Sequence, residues 1–134
     1  MGSANITFFI HRRWLLGAAL LGFLAVALGA FAAHGLKPYL DDRAKGWFDL
    51  AVRYQMWHTL ALVALSFVLN GLGRWFYVAA WGWLVGVLLF CGSLYAMALT
   101  GNTSLAWITP LGGMAFLVGW LGLLMGAFTQ AEMS

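Results

Sequence analysis

Seven side chains place hydrogen-bonding or ligating atoms inside otherwise apolar sequence: His34, Tyr54, Gln55, His58, Ser93, Tyr95 and Thr109, with Arg53 beside them. Polar groups are expensive in lipid, so a set of them at one depth marks a candidate site. Two histidines on facing helices can ligate a haem; the pair here is His34 and His58, with Arg53 near a propionate. Alternatively, the hydroxyls, amide and imidazoles can line a pocket for a quinone, a lipid or another small apolar ligand. A third reading needs no ligand. Hydrogen bonds among the same residues would fix helix register, while Arg53 extends to the interface.

Spacing constrains these readings. Tyr54 and His58 are four residues apart and share a helix face, and Gln55 and His58 are three apart. Counted from Ala51, His58 lies about 10 Å inside its span, where an imidazole needs a partner. His34 falls near a span end, which argues against a level haem pair. Zinc lacks further ligands at metal spacing. Proton-linked transport lacks a carboxylate inside any span, and a small transporter of this size would need an oligomer.

The elements that must position these groups are four apolar runs, at about residues 14–36, 51–69, 75–99 and 107–128. About 20 helical residues cross the hydrocarbon core, so each run is long enough. With 63% hydrophobic and 8% charged residues in 134, the chain is one membrane unit, with no stretch left for a soluble domain. Arg12-Arg13 before an apolar run resembles an export signal, but the run exceeds a signal core of roughly 7 to 15 residues. Position 6 is Ile, not the Ser or Thr that myristoylation requires. Trp14, Trp75 and Trp107 open spans, as interfacial rings do.

The expected fold is an all-α integral membrane four-helix bundle, with both ends of the chain on one side. Lys37-Pro38 ends the first helix, Asp41-Asp42 suits an N-cap, and the segment to Leu50 reads as a short amphipathic interfacial helix. A tight turn is expected at Asn70 to Arg74, and Pro110 fits the first turn of the last helix. Arg12, Arg13 and Arg74 share one side; Lys37, Arg43 and Lys45 share the other, interleaved with Asp41, Asp42 and Asp49. The termini are therefore expected in the cytoplasm. That places the polar set in the outer half of the bilayer.

Small residues recur at helical spacing. Gly112, Ala115, Gly119, Gly122 and Gly126 line one face of the last span; Gly82 and Gly86 form a GxxxG pair; Ala18, Gly22, Ala25 and Gly29 follow the first. Such stripes let backbones approach where the hydrophobic effect gives no help. They predict bundle packing first and homo-oligomerisation second.

No enzyme is expected. The chain has no Ser–His–acid set, no P-loop and no dinucleotide glycine pattern, and Asp41, Asp42 and Asp49 fall in the amphipathic loop. The net charge of +3 fits phospholipid contact better than nucleic acid. Cys91 is the sole cysteine, so no intrachain disulfide can form.

Four stretches occur together in order: Leu28-Gly29-Ala30-Phe31-Ala32-Ala33-His34-Gly35-Leu36, Tyr54-Gln55-Met56-Trp57-His58-Thr59-Leu60-Ala61-Leu62, Gly92-Ser93-Leu94-Tyr95-Ala96-Met97-Ala98-Leu99, and Thr109-Pro110-Leu111-Gly112-Gly113 through Phe116-Leu117-Val118-Gly119-Trp120. With these the chain resembles the small bacterial inner-membrane family catalogued as domain of unknown function 423, whose relatives include a mitochondrial four-span protein. Ala32 departs from an expected glycine, and Thr129 to Ser134 lacks the basic tail of some relatives. The resemblance implies four transmembrane helices and no established activity, cofactor or substrate. The functional expectation is an accessory or assembly subunit of a larger membrane complex, in contact with lipids, other subunits or a second copy. The alternative is a ligand-binding protein using the polar set.

Overall fold

The structure, a computed structural model, describes residues 11–68 and 73–133, and every regular element among them is helical. Helix α1 spans Arg12–Phe31 and widens into a π-type turn over Ala32–Leu36. Its start is tied down by backbone: the His11 N–H donates to the Ser66 carbonyl at 2.8 Å. The chain then turns through Lys37 and Pro38 as expected.

Helix α2 spans Asp42–Ser66. Asp41 caps it, accepting the Ala44 N–H at 2.7 Å. Here the structure corrects the sequence reading. The segment to Leu50 is not a separate interfacial helix but the first turns of α2. No glycine or proline follows Gly46 before Ser66, and Ala44, Phe48, Ala51, Gln55, His58, Leu62 and Leu65 are buried at spacings of three and four. One continuous inward stripe makes one continuous helix.

Helix α3, Arg74–Gly86, passes through a second π-type turn, Val87–Cys91, into α4, Gly92–Thr100. Gly101 ends α4 with φ +70, a left-handed conformation that favours glycine. Asn102 then accepts the Ser104 N–H and starts a 3-10 turn, Thr103–Trp107, which leads into α5, Ile108–Met133. Pro110 sits in the first turn of α5, where its missing N–H costs little. The end of the second expected run at Leu69 and most of the expected turn at Asn70 to Arg74 lie outside the described residues, as does Ile6.

Three stretches are long and apolar enough to cross a membrane: Arg12–Leu36, Arg74–Thr100 and Thr103–Glu132. They match three of the expected runs. Helix α2 is not in this group, because charged residues in its first three turns and Arg53, Gln55 and His58 beyond them interrupt its apolar content.

Packing separates into two kinds of contact. Helix α3 lies against α5, and α1 lies against α2, which also receives α4. Between α3 and α5 the backbones nearly touch. A Cβ built on Gly82 would come within 2.7 Å of the Gly119 Cα, and one on Gly122 within 2.9 Å of the Ala79 N. Gly86 faces the Phe116 ring, Gly112 the Phe90 backbone, Gly119 the Trp83 ring, and Gly126 the Phe76 ring. Between α1 and α2, Gly22 and Gly29 meet only side-chain methyls of Thr59 and Val52, each at 3.3 Å. Every packing glycine singled out by spacing therefore faces a neighbour within the chain. The wider turn at Val87–Cys91 shifts the register of α4 relative to α3, so the rod meets α5 along α3 and α2 along α4.

Candidate functional site

The polar set resolves into three separate knots. Gln55, fully buried at the middle of α2, joins three helices: its Nε2 donates to the Leu21 carbonyl of α1 at 2.8 Å, and its Oε1 accepts from the Tyr95 hydroxyl of α4 at 2.7 Å. A buried amide with both ends engaged is a cross-brace, since either end left alone would lose a hydrogen bond it cannot recover in lipid. Phe48, about two turns before Gln55, packs edge-on against the Tyr95 ring at 4.9 Å and holds it in place.

His58 forms the second knot. Its Nδ1 donates to the Tyr54 carbonyl at 2.7 Å, and its Nε2 accepts from the Trp120 indole N–H at 3.1 Å. A carbonyl can only accept and an indole N–H can only donate, so the pair of bonds fits the Nδ1–H tautomer alone. The imidazole lies flat on Phe116, with centroids 3.7 Å apart and planes 13° apart. Tyr54 extends the aromatic layer by stacking on Phe90 at 4.7 Å. The third knot is the hydroxyl pair Ser93 and Thr109, 2.6 Å apart, with Ser93 also donating to the Phe90 carbonyl at 3.0 Å.

Two expected members stand outside. His34 is exposed in the first π-type turn, and Arg53 is exposed and ion-paired with Asp49 one turn earlier on α2. Along the chain, Gln55 and His58 fall near the middle of α2, which begins at Asp42 rather than Ala51, whereas Ser93 opens α4 and Thr109 opens α5. His34 and His58 thus do not form a facing pair, and both ring nitrogens of His58 are engaged. Among the described residues, no three His, Cys, Asp or Glu side chains are grouped to hold a metal ion.

Sequence reasoning missed Trp120, Phe90, Phe116 and the Leu21 carbonyl. Trp120 carried a signal: a tryptophan mid-helix in an apolar span, away from the interface, needs a partner for its N–H. Trp83 carries the same signal, yet its Nε1 is buried without a partner among the described residues, as is Thr59 Oγ1. None of the principal grooves on the described surface is lined by Gln55, His58, Ser93, Tyr95 or Thr109.

The sequence profile of DUF423, "Protein of unknown function", matches residues 28–113, which run from the end of α1 to the start of α5 and contain all three knots except Trp120, Phe116 and Leu21. The chain belongs to the DUF423 family. A UPF0382 membrane protein of Haemophilus influenzae is 45% identical over 124 residues, covering 92% of this chain and all of the relative. The UPF0382 inner membrane protein YgdD of Escherichia coli K12 is 41% identical over 117 residues, covering 87% of this chain and 89% of the relative. The UPF0382 membrane protein YwdK of Bacillus subtilis is 40% identical over 114 residues, covering 81% and 90%. No solved structure matches. This is an uncharacterised family of membrane proteins, and its names carry no reaction or ligand.

Proposed function

We propose that the protein is a four-span bundle of the bacterial inner membrane, with α2 as the polar fourth span and both termini in the cytoplasm, and that it works without catalysis as an accessory or assembly subunit of a larger membrane complex. The observation that carries this reading is how the interior polar groups are used. The donors that would meet a quinone carbonyl, the Tyr95 hydroxyl and His58 Nδ1–H, are given to Gln55 and Tyr54. The acceptor that would bind a haem iron, His58 Nε2, is given to Trp120. The polar set therefore supports a rigid scaffold better than a ligand pocket.

A scaffold offers its outside. Leu16, Leu20 and Phe23 on α1, and Leu117, Leu121, Leu124 and Phe128 on α5, remain exposed and large, enough for lipid or another helix to cover. The inner-membrane name of the Escherichia coli relative supports the location.

In-membrane crosslinking tests the reading, followed by extraction in mild detergent and mass analysis of the tagged protein from its own cells. One polypeptide recovered in fixed ratio is the expected result. Recovery of the protein alone, with a stoichiometric small molecule lost on His58→Ala while the helix content is kept, would sink it in favour of ligand binding.

A further inference from the structure

The two ends of the molecule treat their cations differently. At the end holding the start of α2, Lys45 is paired with Asp42 and Arg53 with Asp49. At the opposite end, Arg12, Arg13 and Arg74 have no carboxylate within ion-pair distance among the described residues. That same end opens a cleft of about 450 Å³ between α1 and α3, within the roughly 300–1,000 Å³ typical of ligand sites. Arg13 and His11 stand at its mouth, Trp14 and Trp81 form its walls, and Gly17 leaves its side open. The walls are fixed: Trp14 meets Trp81 edge-on at 5.1 Å, and the His11 backbone is bonded to Ser66. Arg74 lies at the same end of the next groove along, which shares Tyr77 and Trp81 with the first.

A cleft with cations at one end and aromatic and aliphatic walls below has the polarity of a phospholipid, with a place for phosphate and a place for an acyl chain. We infer that the α1–α3 cleft is a binding site for one anionic glycerophospholipid, its phosphate held by Arg13 and His11 and one chain lying along Gly17, Leu21 and Leu84 beside the Trp14–Trp81 pair. Charge complementarity selects an anionic headgroup over a zwitterionic one, because Arg12 and Arg74 add to the local positive field and, among the described residues, Glu132 is the single acid at this end and pairs with neither. The inference goes beyond the accessory role and rests only on the membrane embedding of the chain. This site is at the opposite end of α1 from His34 and shares with the three polar knots only Leu21, whose carbonyl accepts from Gln55.

The experiment is native mass spectrometry of the full chain in mild detergent, titrated in separate runs with phosphatidylglycerol, with phosphatidylcholine of matched chains, and with inorganic phosphate. One retained phosphatidylglycerol per chain is expected, with weaker phosphatidylcholine and no retained phosphate. Arg13→Gln should weaken phosphatidylglycerol roughly fivefold, the worth of one arginine at an anionic lipid surface. Gly17→Leu should remove the bound lipid while leaving helix content intact, since a Cβ at Gly17 meets nothing within 4 Å and its side chain extends into the cleft. Lys37→Gln, at the other end, should bind as the parent does. Equal retention of the two lipids, or an unchanged phosphatidylglycerol adduct in both Arg13→Gln and Gly17→Leu, would overturn the inference.

Discussion

Helices α3 and α5 meet backbone to backbone, whereas α1 and α2 meet side chain to side chain. In the first pair, Gly82, Gly119 and Gly122 remove Cβ atoms that would hold the rods apart, Gly112 does the same against Phe90 in the turn that follows α3, and dispersion between close main chains does the joining. In the second pair, Gly22 and Gly29 only touch methyls, and the side-chain bond across the interface is Gln55 to the Leu21 carbonyl, with the His11–Ser66 backbone bond at its end. Lipid is as apolar as leucine, so neither pair gains from hydrophobic burial between helices. The difference shows two ways to join helices there: fit so close that nothing larger is tolerated, or a polar bond that is directional but more forgiving of size.

Substitutions can break or sharpen this contrast. The largest effect is expected at Gly112→Leu, whose side chain would run into the Phe90 backbone with no room to rotate away; a loss of about 3 kcal/mol or more, or failure to fold, should appear in thermal unfolding in detergent. A Gly112→Leu protein as stable as the parent would erase the distinction between the two interfaces. Next is Gln55→Leu, which removes two interhelical bonds and leaves the Tyr95 hydroxyl and the Leu21 carbonyl alone; a loss of about 1–2 kcal/mol is expected by the same measurement.

Trp120→Phe should cost less, about 1 kcal/mol, because it keeps an aromatic ring but deprives His58 Nε2 of its donor. The change should be visible as a shift of the His58 ring resonances in nuclear magnetic resonance. Gly29→Ala lies near zero: helix propensity gains about 1 kcal/mol while Val52 must give by a few tenths of an ångström. Thr59→Val is the smallest change and the one with opposite sign. It removes a buried hydroxyl that has no partner and keeps the shape, so unfolding should move upward or stay put. A clear loss there would show that Thr59 Oγ1 has a partner in the membrane.

Most of the frame was legible in the chain. Three of the four apolar runs are helical rods in the places expected, the Asp41 cap and Pro110 first turn arise from side-chain chemistry, and the glycines singled out on the third and fourth runs line the α3–α5 seam. The site was legible in part. Gln55, Tyr95, Ser93, Thr109, Tyr54 and His58 do make interior hydrogen bonds or ring contacts, but His34 and Arg53 face outward. Both exceptions belong to segments whose local geometry departs from the pattern read off the sequence. His34 lies in a π-type turn, and Arg53 lies on an α2 that starts nine residues early and pairs it with Asp49.

The sequence by itself determined which stretches are helical and where the first and third rods end, because caps, prolines, glycines and apolar length act within a few residues of one another. It also determined which residues are small enough to let helices touch. Which faces meet was decided only by tertiary structure. A helix such as α5 is apolar on all sides, so hydrophobic periodicity does not single out a packing face. Partners across the bundle depend on how far each rod slides along its neighbour. The continuous start of α2 and the π-type turn after α3 set that slide, and with it the bonds of Gln55 to Tyr95 and His58 to Trp120.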